Sequence, residues 1–64
     1  MTYRIVVGEL GNEQGHIVAT RAESDRGARI ALGIQLAKYA GDGWGRIEID
    51  LYGDGRWQDM ESQR

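Results

Sequence analysis

Sixty-four residues make one small domain, 1–64, in which ten acidic side chains face eight basic ones for a net charge of −2. That balance lacks the basic excess of a protein built to bind nucleic-acid phosphates. The absence of cysteine excludes disulfides and thiolate metal sites, and the single histidine, His16, argues against a zinc site built from one chain.

A domain of about 60 residues buries only about 60% of its unfolded surface. Support from a second copy or a larger partner is therefore expected. No run approaches the ~20 apolar residues of a membrane span, and "MTYRIVVGEL" lacks the shape of a signal peptide. A cytoplasmic protein without a membrane partner is the expectation.

"TYRIVVGEL" is rich in β-branched and aromatic residues and reads as a strand; "HIVATRA" reads as a second. A four-residue turn at 11–14 would set Val7 opposite Val18, Ile5 opposite Thr20 and His16 opposite Glu9. Tyr3, Ile5, Val7 and Val18 then share one face, and Arg4, Val6, Ile17, Ala19 and Arg21 the other.

"RGARIALGIQLAKYAG", residues 26–41, reads as one helix. Ser24 suits its N-cap, Asp25 its first turn and Gly41 its stop. Ala28, Leu32, Gln35, Leu36 and Tyr39 form the side expected on the core. Ile30, Gly33, Ile34 and Ala37 form a second, shallow strip at spacings of three and four. A mid-helix glycine costs about 1 kcal/mol against alanine and usually has a packing reason. The strip is expected to be an interface, with a twofold homodimer favoured over a hetero-partner. The alternative is that the C-terminal tail covers it.

"GDGWG" reads as a connector. "RIEIDLY" alternates cleanly, with Ile47, Ile49 and Leu51 on one face and Arg46, Glu48, Asp50 and Tyr52 on the other. A three-residue loop of Gly53, Asp54 and Gly55 would set Leu51 opposite Trp57, making Trp57 a core residue. Residues 60–64 read as a frayed tail.

The elements follow the order ββαββ. A four-stranded antiparallel sheet of order 2-1-3-4, with the helix on one face, satisfies that order and gives an α+β fold. Its open face would carry Arg46 and Gln58 together with Arg4, Val6, Ile17, Arg21, Glu48, Asp50 and Tyr52, with Arg4 and Arg21 across from Glu48 and Asp50. Apolar and aromatic side chains rimmed by charge often mark an interface, so the latter seven are the candidate partner-binding residues.

No catalytic, cofactor or metal constellation emerges. "GELGNEQG" is glycine-rich, but it leads into a strand and no lysine follows it, so it fails the phosphate-loop and dinucleotide patterns. "DGWG" and "DLYGDG" lack the spacing of a calcium loop. A non-enzymatic protein-binding module without cofactors is expected. The alternative is a nucleic-acid-associated accessory protein stacking bases on Trp44 and Tyr52 beside Arg4 and Arg21.

"YRIVV", "DRGARIALGIQLAKYA" and "GRIEIDLYGDGRW" together resemble the layout of small phage anti-CRISPR proteins, single domains with a small antiparallel sheet and one helix. The resemblance implies stoichiometric inhibition of a CRISPR-type complex in the cytoplasm of a bacterial host. It carries over no functional residue.

Overall fold

The computed structural model describes residues 2–18 and 22–63. Strands β1 (Thr2–Glu9) and β2 (His16–Val18) precede helix α1 (Asp25–Ala37), and strands β3 (Gly43–Asp50) and β4 (Gln58–Gln63) follow it. The strands form one sheet of order β2-β1-β3-β4 in which every neighbouring pair is antiparallel. The expected architecture is the observed one.

β1 and β3 pair along eight residues, from Thr2 opposite Asp50 to Glu9 opposite Gly43. This pairing places Tyr3, Ile5 and Val7 beside Ile47 and Ile49 on the helix side. Ala28 and Leu32 of α1 close over them, completing a core whose margin includes Ala31, Leu36, Tyr39 and Met60. The helix approaches closely at Gly45, where an added Cβ would stand 2.5 Å from the Cδ1 of Leu32.

Local chemistry sets the helix ends. The Ser24 hydroxyl accepts from the Gly27 N–H at 3.1 Å, as the N-cap reading requires. The helix proper ends at Ala37, short of the expected residue 41. Lys38, Tyr39 and Ala40 donate to carbonyls three residues back, a tightened last turn. Ala40 and Gly41 then take positive φ, 52° and 90°, and turn the chain into β3.

Expectations about register and extent change in each of β2, β3 and β4. β2 pairs Ile5 with Val18, Val6 with Ile17 and Val7 with His16, two residues from the expected alignment. The connecting loop is longer than four residues, and an even shift keeps every side chain on its face. His16 therefore lies across from Val7 and not from Glu9. β3 starts at Gly43, so the glycines around Trp44 belong to the sheet and not to a connector.

Residues 60–63 form most of β4, where a frayed tail was expected. Gly45, Arg46 and Ile47 pair with Gln63, Ser62 and Glu61, but Glu48 and Ile49 pair with Asp59 and Gln58. The extra residue, Met60, makes a bulge and turns into the core margin. The one-residue shift reverses the facing of the chain before it. Trp57 consequently leaves the helix side, and Leu51 is not its partner but an exposed loop residue.

Leu32 is fully buried at the centre of the helix–sheet contact. Leu32→Ala is expected to cost about 2–5 kcal/mol, comparable to the ~3–5 kcal/mol that a single core of this size supplies. Thermal denaturation followed by circular dichroism should show the variant largely unfolded at 37 °C. A near-native melting curve would contradict this placement of the core.

Candidate functional site

The face of the sheet away from α1 is organised around one carboxylate. Pairing sets Arg4 across from Glu48 on one side and Asp59 across from it on the other. Arg46 precedes Glu48 by two residues and so shares its face. The Nε of Arg4 donates to Glu48 Oε1 at 2.6 Å, and the Nε of Arg46 donates to Oε2 at 3.2 Å. Arg46 also lies 3.8 Å from Asp59.

Each arginine carries a tryptophan. The guanidinium of Arg4 sits 4.1 Å from the ring centroid of Trp57, and that of Arg46 sits 5.6 Å from Trp44. The result is a chain of contacts across β1, β3 and the end of the loop before β4: Trp57, Arg4, Glu48, Arg46, Trp44. Trp44 is fixed further by its indole N–H, which donates to the Asn12 carbonyl at 2.8 Å. The ring rests against Gly8, where an added Cβ would come within 2.8 Å of it. A side chain at position 8 would displace the indole, which explains a glycine inside a strand.

Burial raises the proton affinity of Glu48, but the hydrogen bonds and charges of Arg4 and Arg46 outweigh it. Its pKa is held below the ordinary glutamate value. On the helix side, the Tyr3 hydroxyl donates to the Asp25 carboxylate, which raises the tyrosine pKa, with burial adding to the effect.

Asp50 has a different task. Its carboxylate accepts from the backbone N–H groups of Gly53, Asp54 and Gly55 at 3.0, 3.2 and 3.0 Å. Gly53 and Gly55 take φ of 70° and 82°, which aim those groups inward. This capture ends β3 at Asp50 and makes 51–57 a loop wider than the expected three residues.

The seven expected partner-binding residues therefore separate. Arg4 and Glu48 form the ladder. Val6 lies on the same face but is only 5% exposed, covered where the β1–β2 loop crosses beside Trp44. Asp50 is buried and holds the turn. Ile17 is exposed on the face, and Tyr52, 82% exposed, projects from the loop and not from the strand. Arg21 lies outside the described residues. Trp57 and Trp44 are members that the sequence reading did not place in the partner-binding set. Their alternation with arginines at i, i+2 in "WGR" was the available signal for Trp44.

Beside the ladder lies an open groove of about 530 Å³, lined by Leu10, Asn12, Glu13, Trp44, Arg46 and Asp59 among others. Its cation, Arg46, is already held by Glu48 and Asp59. Among the described residues no three His, Cys, Asp or Glu side chains are grouped to hold a metal ion, and no helix is long and apolar enough to cross a membrane.

The four expected interface residues of α1 lie on its outer side. Ile30 and Ile34 are 55% and 58% exposed, and no other group approaches Gly33. The C-terminal segment does not cover them; it is occupied as β4.

No protein-family model, curated protein or solved structure matches the chain.

Two outcomes test this geometry. Trp57→Ala should leave the fold intact and cost about 0.5–2 kcal/mol in urea unfolding, the range of a cation–π contact, and not the ~3–5 kcal/mol of a lost core tryptophan. For Glu48, a lowered folded-state pKa means that its stabilisation is complete above the ordinary glutamate value. That stabilisation is lost as pH falls through the lowered one. Wild type should thus be more stable than Glu48→Gln at neutral pH, with the gap closing on acidification. A gap independent of pH down to strong acid would contradict the ion ladder.

Proposed function

We propose that the protein is a non-enzymatic protein-binding module that docks a partner on the open sheet face. The observation that carries this reading is the ladder of two tryptophans and two arginines around one buried glutamate. Tryptophan and arginine dominate the energetics of protein interfaces. Side chains already fixed by their neighbours lose little freedom on binding. Exposed Ile17 adds apolar area on the face, and Tyr52 adds an aromatic beside it on the adjoining loop.

The finer reading is a phage-encoded stoichiometric inhibitor of a CRISPR-type complex, acting in the cytoplasm of a bacterial host. It rests on the resemblance in layout. The nucleic-acid alternative has less support. Arg4 and Arg46 are neutralised by Glu48 and Asp59, and each tryptophan already carries an arginine where a base would stack.

A photo-crosslinking residue in place of Ile17 or Tyr52, activated in bacterial lysate, should give a discrete protein adduct from both positions. Trp57→Ala should diminish it. Titration with single- and double-stranded oligonucleotides at low salt should show no binding. A nucleic-acid adduct, or tight oligonucleotide binding that weakens steeply with salt, would replace this reading with the alternative.

A further inference from the structure

The outer side of α1 carries an i, i+4 row that is not random in composition: Arg26, Ile30, Ile34, Lys38. Two isoleucines, each more than half exposed, stand between two cations. Beside the row, Gly33 and Ala37 form a low channel, and a Cβ at Gly33 would meet nothing within 4 Å. A ridge along i±4 next to a shallow channel is the geometry with which helices pack on one another, ridge into groove.

Charge identifies the occupant. Among the described cations, Arg4, Arg29, Arg46 and Arg56 each hold a carboxylate. Arg26 and Lys38 hold none. The two described cations without an ion pair are thus the two that end this ridge. Arg26 also lies in the first helical turn, where the helix dipole disfavours a positive charge, so helix stability does not explain it.

We propose that this ridge docks an amphipathic helix of a partner protein, one whose apolar row is bounded at both ends by Asp or Glu. A second copy of the chain fits poorly. Packed antiparallel about the two isoleucines, Arg26 of one copy meets Lys38 of the other at both ends; packed parallel, Arg26 meets Arg26. A lipid surface fits poorly too. Membrane-surface helices present a broad face of large apolar side chains, whereas Leu32, Leu36 and Tyr39 are turned to the sheet here. The surface is on the opposite layer from the ladder, and the proposal does not rest on the sheet-face reading.

Two synthetic peptides test it, each of about 20 residues so that helix can form, each with the same leucine row, one bounded by glutamates and one by lysines. Chemical-shift titration of the isotope-labelled protein should show saturable changes at residues 26–38 with the glutamate peptide. Its affinity should be at least about tenfold above that of the lysine peptide, a difference of about 1.4 kcal/mol. Arg26→Gln with Lys38→Gln should abolish that preference, and Ile30→Ser with Ile34→Ser should abolish binding of the glutamate peptide. All four side chains are exposed, so melting curves of the variants should confirm an intact fold.

Equal affinity for the two peptides would overturn the proposal, as would changes confined to the sheet face or no binding at about 1 mM. Anionic phospholipid vesicles perturbing residues 26–38 as strongly as the glutamate peptide would assign the ridge to a membrane surface. A wild-type dimer in sedimentation that Ile30→Ser with Ile34→Ser dissociates would assign it to a second copy.

Discussion

Glu48 is the point on which the sheet's open face depends. It is a glutamate in the middle of a central strand, 8% exposed, where an unpaired carboxylate would be costly. Its two oxygens are taken by arginines from β1 and β3, and the second arginine reaches on to β4. One carboxylate thereby joins three strands and fixes both guanidinium planes. The tryptophans follow from those planes, because an arginine held in one position offers a stable surface for an indole. That pairing, the three backbone N–H groups on Asp50 and the Tyr3–Asp25 bond together leave no buried side-chain polar atom unsatisfied among the described residues.

The two layers of the molecule solve different problems. On the helix side, small residues bring α1 close enough for Leu32 to reach the sheet at Gly45. On the open side no second layer is present among the described residues, and the long side chains of Arg4, Arg46, Trp44 and Trp57 line the face. Val6 faces away from the helix, yet it is nearly as buried as the core, because the β1–β2 loop crosses it beside Trp44. A chain this short gains apolar burial on both sides of one sheet, with aromatic and guanidinium groups serving as a thin cover.

Much of this was legible in the sequence, and the exceptions have identifiable causes. Alternation in "YRIVV" and "RIEID" located the central strands and their faces. Ser24 located the start of the helix, and Gly41 located the positive-φ turn beyond its end at Ala37. The strand order brought the arginines of the open face near Glu48 and Asp50, but the register that pairs Arg4 with Glu48 came from the structure. What alternation did not reveal was where a strand stops being one. "RIEIDLY" keeps its period through Tyr52, but the Asp50 carboxylate gathers three backbone N–H groups and ends the strand. β4 was hidden for the opposite reason. An edge strand that turns only Met60 toward the core needs no apolar period, so "QDMESQ" looks like a tail. The bulge at Met60 then moved Trp57 to the other face, since a single inserted residue reverses every facing before it.

That bulge has a further consequence at the level of many molecules. β4 is an outer strand of the sheet, and an outer strand with free backbone groups can template addition of strands from other copies. Here the bulge interrupts the edge at its middle, and a bulge bends its strand and adds to the local twist. Edge-to-edge growth into ribbons is disfavoured by backbone shape. The expected outcome in a concentrated solution is that β4 does not seed fibrils.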